Sequence, residues 1–250
     1  LSHSSRLRTG NSNREEYNIS AGAGEVLYNG IQLPEKWPPD QRNPESMEPM
    51  SVPYLHNPPA VIPIDVGRQL FVDDFLIEKS TLTRTFHSAQ RYEGNPVFRP
   101  ENETELKRRG VVYLGHGGVF YDPQVKLFKL FYTAGWRGPF SLATSPDMIH
   151  WMRPDLTADH RNELISRSVD DNSVWLDIDA ADLSQRLKYI EFDRQKNRHI
   201  LYTSVDGLKW SAGLEVDSVA GDYCSFFYNP FRRVWVYSIK RDTRGRNRYY

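Results

Sequence analysis

Two segments of the chain, Ser145-Pro146-Asp147-Met148-Ile149-His150-Trp151 and Ser204-Val205-Asp206-Gly207-Leu208-Lys209-Trp210, share the pattern S-x-D-x-x-x-W and begin 59 residues apart. A second pair, Phe120-Tyr121-Asp122-Pro123 and Phe227-Tyr228-Asn229-Pro230, begins 107 residues apart. After each member of that pair come a basic residue and an alternating run: Phe128, Leu130 and Tyr132 in one, Trp235 and Tyr237 in the other. One period of 59 and a two-period interval of 107 agree on a structural unit of roughly 50–60 residues. Period-2 alternation and the turn dipeptides exclude helical repeats.

Each unit reads as short strands joined by tight turns. The first spans Gly118–Tyr121, a turn at Asp122-Pro123, Leu127–Ala134 and Phe140–Thr144, with Asp147 in the turn that follows. The second spans Ser173–Leu176, Leu187–Phe192 and His199–Thr203, closed by Asp206-Gly207, a strong hairpin signal. The third spans Ser225–Tyr228, a turn at Asn229-Pro230 and Val234–Ile239. Repeated antiparallel sheets of this size, each with an aromatic marker, predict an all-β fold of the β-propeller type. A two-sheet sandwich is the alternative, because sandwiches also space short strands regularly.

Upstream, residues 1–33 are polar and without period and read as a loosely ordered tail. Residues 34–63 hold nine prolines. Proline fixes φ and donates nothing to a ladder, so this stretch is a linker or an extended strap anchored by Trp37, Tyr54 and Leu55. Residues 1–61 are therefore expected as a tail and Pro-rich strap, and 62–250 as the β domain. Within it, Ile64–Ile77 reads as a β-rich run broken by Gly67 and the acidic pair Asp73-Asp74. Residues 95–100 read as a turn and short strand, and 101–109 as an exposed loop or short helix.

Composition narrows the function classes. Thirty-two basic and 32 acidic residues cancel to zero net charge, which argues against general binding to nucleic acid or an anionic membrane. Apolar runs such as Val234–Tyr237 are far shorter than the roughly 20 residues of a membrane span. A single cysteine, Cys224, excludes an internal disulfide framework and a cysteine-based zinc cluster, and its aromatic surroundings read as a small buried residue. Asn18-Ile19-Ser20 and Asn102-Glu103-Thr104 match the glycosylation sequon, which chance supplies too often to decide a compartment.

Val119-Phe120-Tyr121-Asp122-Pro123 with Phe128–Tyr132 and the Ser145–Trp151 ending resembles a blade of the five-bladed propeller glycoside hydrolases, the relatives of families 32, 43, 117 and 130. Leu70–Ile77 and Asn95-Pro96-Val97 resemble the entry to the first blade in bacterial family 32-like proteins. The resemblance covers residues 62–250. It implies a secreted or periplasmic O-glycosyl hydrolase with a carbohydrate substrate and no cofactor. It also implies five blades in the full protein, of which about two and a half to three lie here, so the chain is expected to be the N-terminal part of a longer one, cut in its third blade.

In a propeller the innermost strands line a channel and ligands bind at its mouth, so reacting carboxylates are expected at the starts of those strands. Glycoside hydrolysis needs a carboxylic acid beside the leaving oxygen and a carboxylate as base or nucleophile. This filter selects Asp171 and Asp222 as catalytic candidates, with Asp170 beside the first. His116, flanked by glycines, holds the equivalent place in the first unit. Trp175 and Trp136 are candidate sugar-stacking platforms. Arg246 and Arg248, in a basic cluster with Lys240, Arg241 and Arg244, are candidates to clasp an anionic group. Asp122, Asp147 and Asp206 read as turn residues capping their own backbone. The related hydrolases use a third carboxylate, a glutamic acid. None is visible on an inner strand here: Glu191 reads as peripheral, Asp73 or Asp74 is a substitute from the preceding segment, and the acid is unassigned. No metal-ligand spacing is present. A glycan-binding propeller without catalysis, and a phosphorylase using Arg246 and Arg248 for phosphate, are the alternatives.

Overall fold

The computed structural model describes residues 24–37, 47, 58–65, 69–114, 118–165, 172–193, 195–216, 224–241 and 247–249, the side chains of 240–241 and 247–249 excepted. The chain divides into two compact units: Leu1–His87 with Pro230–Arg233, and Ser88–Asn229 with Val234–Tyr250.

In the first unit, part of the segment expected as a loose tail is ordered. Leu27 N–H donates to the Ile31 carbonyl (2.7 Å) and Gly30 N–H to that of Leu27 (2.9 Å), closing a turn beneath the Val26–Gln32 bridge. Gly30 sits at φ +79°, a conformation that costs a residue with a Cβ. Ile31 and Leu33 are buried, and Tyr28 stacks on Phe231 at 4.4 Å. Conversely, the β-rich run expected at 64–77 contains no strand among its described residues. Asp73 accepts the Phe75 N–H (3.0 Å) in a turn, and Leu70, Phe71 and Val72 are exposed. Three consecutive apolar residues do not give a strand an inside and an outside, and no ladder partner supplies them. Residues 95–100 likewise form no strand.

The second unit is nearly all antiparallel β. Its first sheet contains β1 (Val112–Tyr113), β2 (Val119–Asp122), β3 (Leu127–Ala134), β4 (Phe140–Ser145) and β5 (Glu163–Ile165). β1 and β2 share one edge of β3, and β4 and then β5 extend the other. The second sheet runs in chain order through β6 (Asn172–Leu176), β7 (Leu187–Asp193), β8 (Arg198–Ser204) and β9 (Leu214–Val216). The third comprises β10 (Ser225–Asn229), β11 (Val234–Arg241) and β12 (Asn247–Tyr249). Among the described residues a short α-helix, α1 (Glu103–Lys107), is held by a capping box between Asn102 and Glu105.

The repeated motif builds the same turn twice. Asp147 Oδ1 accepts the N–H groups of Ile149 (2.9 Å) and His150 (2.8 Å), and Ser145 Oγ accepts that of Met148 (2.9 Å). Asp206 Oδ1 accepts those of Leu208 (2.8 Å) and Lys209 (3.1 Å), and Ser204 Oγ that of Gly207 (2.9 Å). Both turns need a left-handed residue at the fourth position, Met148 at φ 65° and Gly207 at φ 79°. These N–H groups hold both carboxyls below the usual range, for Asp206 against a larger opposing push from burial.

Between the first two sheets lies the main core: Phe131, Phe140 and Leu142 from one side, Val174, Leu176, Leu187 and Tyr189 from the other. Phe140 stacks on Tyr189 at 4.2 Å, and Trp210, the aromatic of the second motif, packs against this cluster. The first motif's Trp151 packs instead with Phe98 against Leu130, Tyr132, Ala134 and Ala143 on the opposite face of the first sheet.

Two ionic clamps complete the packing. Asp122 is 1% exposed and receives Arg186, the residue just ahead of β7, through both oxygens, with Lys129 Nζ 2.8 Å from Oδ2. Lys129 also donates to the Asp206 carbonyl (2.5 Å). Asp122 therefore caps its turn, accepting the Gln124 N–H, and ties two sheets together. On the other face of the first sheet, Glu105 is wholly buried, accepting from Tyr132 Oη (2.7 Å) and from Arg153 Nε (2.9 Å). The segment expected at the surface as 101–109 thus contributes a buried carboxylate.

Candidate functional site

Ser173 Oγ accepts the Phe226 N–H at 3.4 Å, and Trp175 meets Trp235 edge to face at 6.3 Å, Trp235 lying opposite Tyr228 in the ladder. β6 thus lies against β10 through Ser173 and Phe226, and against β11 through Trp175 and Trp235. At the start of β6, Asn172 donates to Thr133 Oγ1 of β3 (3.4 Å), joining the first sheet to the second.

The same end contains a carboxylate that sequence reasoning set aside. Glu191 lies on β7 directly opposite Asn172 in the ladder and opposite Ile200 of β8. It is 2% exposed. Tyr189 Oη donates to one oxygen (2.7 Å) and Tyr202 Oη to the other (3.0 Å). Position explains this: alternation puts Tyr189 and Glu191 on one face of β7, and Tyr202, opposite Tyr189, joins them from β8. Glu191 is therefore central, not peripheral. The available signal was the Tyr189-Ile190-Glu191 spacing, which puts a phenol and a carboxylate on the face that also carries the core residue Leu187.

Of the expected site residues, Asp170, Asp171, Asp222, His116 and Arg246 lie outside the described residues, and Arg248 is described only as part of β12. Trp175 is half-buried at the far half of β6, with Trp235 as its edge-to-face partner. Lys188 Nζ sits 4.5 Å from the Trp235 ring and 3.0 Å from Asp177 Oδ2. Trp136 is 39% exposed in the turn after β3, with Arg109 5.2 Å from its ring and Tyr113 beside it. Asp73 and Asp74 are exposed on a turn rather than a strand, Asp74 pairing with Arg84 at 2.6 Å. Among the described residues, no three His, Cys, Asp or Glu side chains are grouped to hold a metal ion.

No family model and no curated protein matches the chain. Among solved structures it is similar to the fructofuranosidase from Schwanniomyces occidentalis complexed with fructose, at 19% identity, covering 50% of this chain and 28% of that one, with a TM-score of 0.36. The beta-fructofuranosidase from the same organism complexed with fructosyl-erythritol gives 18% identity, the same coverage and 0.36. A variant complexed with fructosylnystose gives 17% identity, 57% and 34% coverage and 0.35. The chain thus spans about a third or less of the length of these structures.

Proposed function

We propose that the chain is part of a β-propeller glycoside hydrolase acting on a poly- or oligosaccharide, with Asp171 and Asp222 as reacting carboxylates. The observation that carries this reading is the contact of β6 with β10, where Ser173 Oγ accepts the Phe226 N–H. Asp171 immediately precedes the first and Asp222 stands three residues before the second. The buried Glu191 lies opposite Asn172, the residue that follows Asp171 in the sequence. In this chemistry a carboxylic acid gives its proton to the glycosidic oxygen as the C–O bond breaks, the bonding pair leaving with that oxygen. A water oxygen adds to the anomeric carbon, directly or after a carboxylate has done so, and its proton passes to a carboxylate.

The test is release of reducing sugar from a panel of oligosaccharides, fructosides included, by the full chain and by Asp171→Asn and Asp222→Asn. Loss of at least 100-fold in kcat for both variants, with folding retained, supports the reading, since removing an acid or base costs roughly 10²–10⁴. Turnover unchanged in either variant removes that residue from the chemistry. Glycan binding without turnover turns the reading to a binding module, and turnover that requires inorganic phosphate turns it to a phosphorylase.

A further inference from the structure

The sequence singles out Trp136 as a candidate sugar-stacking platform, and the structure sets two held arginines around it. Two loops meet here: 108–111, which follows α1, and 135–138, between β3 and β4. Gly135 N–H donates to the Val111 carbonyl (2.9 Å) and Trp136 N–H to that of Arg108 (2.8 Å), knitting the two together. A Cβ at Gly135 would overlap Arg108 Cβ, and one at Gly138 would overlap the Ala134 carbonyl and press on Arg108 Cδ (3.2 Å). Glycine at both places is what lets the Arg108 stem lie there. Its Nη1 donates to the Arg137 carbonyl (3.2 Å), which holds the guanidinium in place. Arg109 sits with its guanidinium carbon 5.2 Å from the centre of the Trp136 ring, a cation held against an aromatic face. Its φ of 69° lies where glycine is favoured, so the arginine is carried there against the backbone's preference.

Arg108, Arg109 and Trp136 are all exposed. Among the described residues neither arginine is paired with a carboxylate. The acidic residues of α1 are engaged elsewhere, Glu103 with Lys107 and Glu105 with Tyr132 and Arg153. Two positioned guanidiniums offer forked donors that fit a planar or tetrahedral anion, and the exposed part of the indole fits the C–H face of a sugar ring. Zero net charge makes this a local feature rather than a general affinity for polyanions.

We propose that Arg108, Arg109 and Trp136 form a binding site for an acidic sugar unit, one that carries a carboxylate or a sulfate. The polysaccharide the chain acts on is then an anionic one. The sugar part of this inference rests on the glycosidase reading, whereas the arginines alone point to an anion.

The experiment is calorimetric titration of the full chain with three oligosaccharides: an oligogalacturonate, a sulfated galactan fragment and a neutral galactan fragment. Arg109→Gln, Arg108→Met and Trp136→Ala are titrated alongside, each with its melting temperature. At least one acidic oligosaccharide is expected to bind about 10-fold or more tightly than the neutral one, and Arg109→Gln and Arg108→Met are each expected to weaken it about 10-fold. Trp136→Ala is expected to weaken acidic and neutral ligands alike. Which acid binds distinguishes carboxylate from sulfate. Equal affinity for acidic and neutral ligands, binding of neither acid, or acidic binding unchanged in Arg109→Gln overturns the proposal. So does single-stranded DNA bound as tightly as the acidic sugar, which would make the patch a plain cationic surface. Should Arg108→Met fail to fold, Arg109→Gln decides, because the Arg109 guanidinium rests only on the indole and solvent. Binding is read without turnover. A chain that binds acidic oligosaccharides but cleaves no glycoside refutes the glycosidase reading alone, and one that cleaves neutral glycosides without preferring acidic ligands refutes this inference alone.

Discussion

Replacing Asp122 by alanine would leave Arg186 and Lys129, 3% and 6% exposed, as buried cations without their shared anion. Breaking a buried ion pair from one side costs about 3–5 kcal/mol. In a unit of this size each 1 kcal/mol moves the melting temperature by roughly 2–4 °C. Asp122→Ala is therefore expected to melt roughly 6–20 °C lower at pH 7. Replacing all three together (Asp122→Leu, Lys129→Met, Arg186→Met) removes the charges and their desolvation cost, and is expected to recover most of that loss. The carboxyl also carries a pH signature. Burial pushes its pKa up, but hydrogen bonds from Arg186 and Lys129 outweigh burial and hold it well below the usual carboxylate range. A folded-state value below the unfolded one gives stability that is complete above the unfolded value of about 3.9 and is lost as pH falls toward the folded value. The gap between the unaltered chain and Asp122→Ala should be constant from pH 8 to pH 5 and narrow below about pH 4. Melting curves followed by circular dichroism across that range read both effects. A variant within 2 °C of the unaltered chain at pH 7, or a triple replacement no better than the single one, would refute the reasoning.

The two copies of the repeated turn predict opposite responses to the same kind of change. A Cβ at Gly207 would lie 3.1 Å from Phe131 Cζ and 3.2 Å from Leu187 Cδ2 at φ +79°, so Gly207→Ala is expected to destabilise by about 1–2 kcal/mol, read from a urea midpoint. Met148→Gly relieves about 1–2 kcal/mol of left-handed strain against about 0.5–1 kcal/mol of added chain entropy, and is expected to leave that midpoint unchanged or slightly higher. Glu105→Gln weakens a charged hydrogen bond from the half-buried Arg153 and is expected to cost about 1.5–3 kcal/mol in the same measurement, while Thr157→Ala, at an exposed turn, should cost under 0.5 kcal/mol.

The strands that sequence revealed are those whose own residues carry both alternation and a turn signal. β2, β3, β4, β6, β7, β8, β10 and β11 fall within about two residues of their expected bounds, because Asp122-Pro123, Asn229-Pro230 and the S-x-D turns mark where the chain reverses. β1, β5, β9 and β12 escaped notice: two or three residues show no period, and these strands exist because a neighbour offers an open edge. Glu105 and Glu191 were misjudged for a related reason. A charge run reads as solvated surface, and a carboxylate in a middle strand reads as rim, until the tertiary structure supplies a Tyr132 and Arg153, or a Tyr189 and Tyr202, to receive it. Asn102 three residues before Glu105 was the one local sign, as a capping box.

The difference between legible fold and less legible site follows from where repetition lies along the second sheet. Asn172, Glu191 and Ile200 align at one end of it; Leu176, Leu187 and Ser204 align at the other, four residues or about 13 Å away. Ser204 opens the repeated turn, and the Asp206 carbonyl in that turn accepts from Lys129 of the first sheet, which also pairs with Asp122. The end bearing the repeats thus has one physical task in each copy, closing a hairpin and seating an aromatic residue, and that task selects the same serine, aspartate and tryptophan twice. The opposite end has no such shared requirement. The sequence ahead of β2, β6 and β10 differs from unit to unit: Gly115-His116-Gly117, then Asp170-Asp171, then Gly221-Asp222. Residues that differ at equivalent places in otherwise repeating units are released from a common structural role, and an asymmetric substrate needs different groups on its different sides. Divergence ahead of these strands, set against repetition at the turns, is the sequence pattern that unlike chemical roles produce.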